Sequence, residues 1–122
     1  MGNFKELRVW KDSVSLSANI YYITRKEPFL KDFGLSSQVQ RASVSIASNI
    51  AEGDERGSNK ESIYFFNIAK GSPAEVITQL HIAHKIGYID ALILEKLENQ
   101  TERIRATLKN LIKSRKNIDS NR

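Results

Sequence analysis

Three groups of side chains in this 122-residue chain have the types and spacing to do chemistry. The first is His81 and His84, the only histidines, set three residues apart. On a helix that spacing puts two imidazoles on one face, where they could share a divalent metal. A carboxylate one turn before His81 would help complete such a site, but Ile77 stands there, and the chain has no cysteine to offer a thiolate. No metal and no cofactor are expected. No strand–turn–helix segment frames a nucleophilic serine either.

The second group is Gln38, Arg41, Ser45, Asn49 and Glu52. On a helix these share an arc of roughly 80° beside an apolar stripe. Such a row could line a catalytic groove, with a carboxylate as general acid or base. It could also be a hydrogen-bonded seam between helices or subunits, with Ser45 and Asn49 satisfied by backbone or by Glu75. A carboxylate with neither a histidine nor a metal beside it is poorly equipped for proton transfer. The seam reading (Gln38, Ser45, Asn49, Glu52, Glu75) is therefore adopted, no catalytic residue is assigned, and a non-enzymatic protein is expected.

The third group is basic. Net charge is +5, and residues 103–122 hold seven Lys/Arg against one Asp, while residues 90–102 hold four acids against one Lys. Acids at a helix start and bases at its end match the helix dipole, so a solvated helix accounts for the pattern. Phosphate binding is the functional alternative. The candidate contacts are Arg41, Arg56 and Lys60 near the second loop, and Arg103, Arg105, Lys109 and Lys113 on the last helix. No base-reading motif is present. Tyr64, Phe65 and Phe66 could stack on bases, but aromatics at helical spacing are expected in a core, and Trp10 is read as a core or interface anchor. Gly71-Ser72 and Gly53…Gly57 lack the spacing of a phosphate loop.

The elements that must position these groups are helices. No alternating β-branched run lies between turn signals, whereas 3-4 apolar spacing recurs four times. The first helix spans about residues 5–25, with one seam of Leu7, Trp10, Val14, Ser17 and Tyr21 beside a second set of Val9, Leu16, Ile20 and Ile23; Glu27-Pro28 stops it. The second spans about 35–52, with Leu35, Val39, Ala42, Ile46, Ile50 and Gly53 as its buried stripe and many small residues around it. The third spans about 58–86. Ser58 and Glu61 have capping-box spacing, and Pro73 predicts a kink near 69–73 or two shorter helices. The fourth spans about 90–116, with a heptad seam of Leu94, Leu97, Thr101, Ile104, Leu108 and Leu111. Residues 117–122 are expected to be a polar, disordered tail. The chain is long enough to bury a core without staples. Short connections predict one all-α domain, residues 1–116, folded as an antiparallel up-down-up-down four-helix bundle, with the hairpin of the last two helices projecting past the first two. With no apolar run of signal-peptide or membrane-spanning type, a soluble cytoplasmic protein with no membrane partner is expected.

Several blocks resemble a known family. Phe4-Lys5-Glu6-Leu7-Arg8-Val9-Trp10 is similar to its opening signature. Phe33-Gly34-Leu35 with Gln38, Arg41 and Ala42, then Ser45-Ile46 and Asn49-Ile50-Ala51-Glu52-Gly53, resemble its central blocks. Phe65-Phe66, Ile68-Ala69-Lys70-Gly71-Ser72, Glu75 and Gln79-Leu80 resemble the next. The family is that of the bacterial four-helix-bundle proteins encoded in 23S rRNA intervening sequences, often labelled ribosomal-protein-like and similar to the accessory variability protein of diversity-generating retroelements. Pro73 departs from it where the family usually has Leu, and Ile77 where Glu is frequent. The resemblance implies a homopentamer, and from the retroelement relative it implies binding of nucleic acid through a basic surface. For the intervening-sequence branch it implies no biochemical activity. The expectation that follows is an oligomeric bundle whose partners are copies of itself and structured RNA or DNA, with a protein-interaction scaffold as the alternative.

Overall fold

The computed structural model describes residues 2–120, and every regular element among them is helical. A 3₁₀ turn at Phe4–Glu6 precedes α1 (Arg8–Thr24), and a second at Phe29–Lys31 leads into α2 (Phe33–Asp54). The pair α3 (Asn59–Lys85) and α4 (Ala91–Ser120) completes the chain. Each helix packs on its sequence neighbour and α1 also packs on α4, while no diagonal pair makes comparable contact. That is the square of an up-down-up-down bundle.

The boundaries have local causes. Leu7, extended at φ −72° and ψ 124°, separates the first 3₁₀ turn from α1, so the predicted helix from residue 5 begins at Arg8 instead. Asp32 starts α2 earlier than expected, because its side chain accepts the Leu35 N–H at 3.0 Å and so caps the helix. Ser58 caps α3 in the same way, accepting the Glu61 N–H at 3.2 Å. Gly87, at φ 86°, turns the chain after α3.

Two expectations are corrected. α3 runs unbroken through Pro73, so it is not two helices. A single missing N–H interrupts one backbone bond, and Pro73 is itself buried in the bundle, so packing on both flanks holds the helix together. α4 continues to Ser120, so residues 117–120 are helix rather than tail, with no Gly or Pro after residue 87 to stop it. Residues 121–122 of the expected tail lie outside the described residues.

The core holds Leu16, Ile20, Val39, Ile46, Ile50, Val76, Leu80, Ile104 and Leu108, each fully buried. On α1 the second apolar set is the one inside: Val9, Leu16 and Ile20 are buried, while Val14 and Tyr21 of the first seam are exposed. Ser13 and Thr24 sit on the buried stripe because each hydroxyl donates to a carbonyl one turn back, Val9 at 2.7 Å and Ile20 at 2.9 Å. On α4, Thr101 does the same to Leu97 at 2.7 Å.

Register fixes which ends meet. Ser62 donates to the Gly53 carbonyl at 2.6 Å and Ser72 to Ser45 at 3.2 Å, so α2 reaches within a turn of the start of α3. Asn19 donates to Gln100 at 3.1 Å. Counting back from that pair, Arg8 stands level with Leu111, and about 13 Å of α4 extends beyond α1. The α3–α4 hairpin therefore outruns α1 but not, by more than a turn, α2.

Candidate nucleic-acid interface

The outer groove between α3 and α4 brings three cationic side chains together. It has a volume of about 400 Å³ and is lined by Lys70, Glu102, Arg105, Ala106 and Lys109. Arg105 and Lys109 are one turn apart on α4, and Lys70 reaches in from α3. The His81–Glu98 contact, 2.5 Å across the same two helices, sets a register that places Lys70 level with Lys109. Arg105 is ion-paired with Glu102. That hydrogen bond holds the guanidinium pKa above its ordinary value, and it fixes the planar fork with donors to spare. Three cations against one carboxylate leave the groove positive, and Lys113 extends it by one more turn of α4.

The turn between α2 and α3 holds Arg56, and the first turns of α3 carry Lys60 and Tyr64. Arg56 pairs with Glu52 at 2.7 Å, and its guanidinium lies 4.4 Å from the centroid of the Phe65 ring. Tyr64 stands edge-on to Phe65 at 5.1 Å and is 63% exposed. Phe66, by contrast, is fully buried. The structure thus separates the aromatic triplet: Phe66 is core, Phe65 is covered by Arg56, and Tyr64 is open.

The other nucleic-acid candidates are not brought together. Arg103 is exposed on a face of α4 away from Lys70. Arg41 lies in a different groove, about 320 Å³ between α2 and α3, with Gln38, Ala42, Ser45, Ser72, Glu75 and Gln79. This is the polar seam. Asn49 donates to the Ser45 carbonyl at 2.9 Å and to its hydroxyl at 3.1 Å, and Ser72 donates to the same hydroxyl. Glu52 leaves the seam for Arg56, which corrects its grouping with Glu75.

These grooves belong to a fold with known relatives. Residues 5–110 match the family described as 23S rRNA-intervening sequence protein. The chain belongs to that family. A crystal structure of a protein of unknown function from the S23 ribosomal protein family, from Bacteroides thetaiotaomicron VPI-5482, is similar at a TM-score of 0.79. It is 28% identical, over 86% of this chain and 98% of that one. No curated protein matches.

In this member of the 23S rRNA-intervening sequence protein family the histidines have a carboxylate the sequence did not reveal. Glu98 of α4 meets His81, not a residue one turn back on α3. Among the described residues no three His, Asp or Glu side chains converge as a metal site would need. Two further residues are not singled out by local spacing. Lys70 falls within the block Ile68-Ala69-Lys70-Gly71-Ser72, and its position seven residues before Ile77 and one turn after Phe66 puts it at the edge of the buried stripe. Gln79 lines the seam groove with its carbonyl oxygen buried and without a hydrogen bond among the described residues. No described helix is long and apolar enough to cross a membrane.

Proposed function

We propose that this protein is a non-enzymatic, cytoplasmic bundle that binds structured RNA through phosphate contacts. The observation that carries the reading is the α3–α4 groove, where Lys70, Arg105 and Lys109 converge with one opposing carboxylate. Membership of a family named for rRNA intervening sequences supports RNA as the polyanion. Self-association into a homopentamer is part of the proposal. It is supported by Ile68, Ile82 and Ile86 on the outer side of α3, which are 40%, 45% and 52% exposed in the single chain. Repetition of the groove around such a ring would raise a modest affinity through multivalency.

Binding of labelled rRNA fragments by fluorescence anisotropy tests the proposal. Affinity is expected to fall steeply with salt, and the double substitution Arg105→Glu/Lys109→Glu should abolish it at moderate ionic strength. A flat salt response, or no binding at low salt, refutes the RNA reading. Light scattering checks the assembly, with a species of about five chains expected. A protein partner recovered from nuclease-treated lysate, with no RNA binding, would favour the scaffold alternative.

A further inference from the structure

Two adjacent sides of the bundle carry exposed apolar residues, and the other two carry grooves rimmed by cations. On the α1–α2 side stand Val14 and Tyr21 of α1 with Phe33 and Val44 of α2, 41%, 39%, 83% and 40% exposed. Gln40 donates to Thr24 at 2.9 Å, which marks where α1 and α2 face each other. Val14 and Tyr21 lie within about 80° of Thr24 around α1, and Phe33 and Val44 within about 40° of Gln40 around α2. On the α2–α3 side stand Ile68, Ile82 and Ile86. They lie within about 80° of Ser72 around α3, and Ser72 meets Ser45 of α2. The α3–α4 side has the groove of Lys70, Arg105 and Lys109, and the α1–α4 side a groove of about 230 Å³ rimmed by Lys26 and Lys96.

We propose that a second copy of this chain seats its α1–α2 side on the α2–α3 side of the first, closing a ring with α2 toward the axis and α4 outward. The inference rests on the self-association reading above and names its two contact surfaces. Adjacent sides of a square bundle face directions about 90° apart, so each head-to-tail contact turns the next copy by about 90°; opening that corner to about 108° gives the turn of about 72° that closes five copies. Opposite sides would build an open row, and one side meeting itself would stop at a dimer.

A closed ring has no rise along its axis, so residues at equal height meet. Counting from the Ser45–Ser72 pair, Phe33 is level with His84, midway between Ile82 and Ile86. Phe33 is the most exposed large apolar side chain among the described residues, and the next copy offers it two isoleucines. Counting from Thr24–Gln40 as well, Val14 is level with Asn67, beside Ile68, while Tyr21 and Arg25 are level with Ala74 and Thr78, on either side of Glu75. Glu75 lines the α2–α3 groove and has no ion pair among the described residues, so the Arg25 guanidinium and Tyr21 phenol of the neighbouring copy complement its charge. The groove of Lys70, Arg105 and Lys109 stays on the outside of the ring, open to RNA.

Cysteine cross-linking tests it, in a chain with no cysteine of its own. Val14 and Ile68 stand on diagonal helices and on different sides of one chain, so a link between them joins two copies. Val14→Cys/Ile68→Cys treated with a short bismaleimide should give a ladder that ends at a closed ring, and neither single variant should couple to itself. Self-coupling of Ile68→Cys would reveal a two-fold contact and overturn the inference. So would the absence of a ladder from a protein that light scattering shows to be assembled; self-association would then stand without these surfaces. A wild-type monomer would sink the self-association reading as well. In a second measurement, Phe33→Asp and Ile82→Asp should each shift light scattering to smaller species with circular dichroism unchanged, while Lys70→Glu should keep the wild-type size. Wild-type size in both Asp variants would place the contact elsewhere.

Discussion

The phenol of Tyr88 donates to the carboxylate of Asp32 at 2.9 Å, across 56 residues of sequence. The other oxygen of that carboxylate accepts the Leu35 N–H and caps α2. One side chain thus joins the start of α2 to the turn after α3, and the Phe29 ring packs on Tyr88 at 5.2 Å. The backbone hydrogen bond from Leu35, with the Tyr88 phenol, holds the Asp32 pKa below its ordinary value; the same contact raises that of Tyr88.

The sign of the pH effect follows. A lowered carboxylate pKa contributes stability above the unfolded-state value, about 4, which is lost as pH falls through the folded value. A raised phenol pKa contributes stability below about 10, lost as pH rises through the folded value. Between these limits the pair should add no pH dependence. Urea midpoints from pH 3 to 7 should therefore drop on the acid side for the wild type and drop less for Tyr88→Phe, which starts from a lower plateau. Parallel curves for the two proteins would show that Tyr88 has no part in holding the Asp32 charge.

Gly53 ends the buried stripe of α2 under the ring of Phe66. A Cβ there would lie 2.6 Å and 2.7 Å from two ring carbons and 3.0 Å from the Ser62 carbonyl oxygen. Gly53→Ala should therefore destabilise the fold by about 1–3 kcal/mol through overpacking. Chemical denaturation measures it. Adding Phe66→Leu should recover part of the loss, because the smaller side chain vacates the space the methyl needs; a double variant no better than the sum of the singles would place the strain elsewhere.

How far the sequence reveals this molecule differs from helix to helix. The stripe of Val39, Ala42, Ile46, Ile50 and Gly53 on α2 is the buried one, because its other faces are polar or small. On α1 apolar residues cover so broad an arc that the seam through Val14 and Tyr21 looks as good as the one inside. Ser13 and Thr24 disguise the true stripe, since their hydroxyls are satisfied by their own helix. The candidate site was half legible. Arg105 and Lys109 stand out as an i, i+4 pair, but their partner Lys70 and the link from His81 to Glu98 depend on the register between two helices, which local spacing does not encode. Tyr64 and Phe66 differ only in which way the helix faces them.

Pro73 sits inside α3 and is buried. It leaves the Ala69 carbonyl without its usual donor and crowds it. Pro73→Ala restores that N–H while giving up a modest amount of buried ring. The balance favours the variant by about 1 kcal/mol, well under the full helix-interior penalty of proline of about 3 kcal/mol. A raised denaturant midpoint with an unchanged slope checks it. A loss of stability would mean that the ring's packing outweighs the missing hydrogen bond.

Asp54, at the C-terminal end of α2, has a side chain only 5% exposed, and among the described residues it pairs with Arg115 at 3.2 Å. Its second oxygen is buried without a hydrogen bond among the described residues. Arg115, 23% exposed, also lies 5.4 Å over the Phe66 ring. Breaking a buried pair from one side strands a charge, which in fully buried cases costs about 3–5 kcal/mol. Water reaches Arg115, so Arg115→Met should lose less, about 2 kcal/mol, while keeping the apolar contact with Phe66. Asp54→Asn removes the charge that would be stranded. The double variant Asp54→Asn/Arg115→Met should thus be more stable than Arg115→Met alone, with a coupling of about 1 kcal/mol or more in a double-mutant cycle. Additive losses would mean that the pair is screened by solvent, and that Arg115 holds the end of α4 through Phe66 alone.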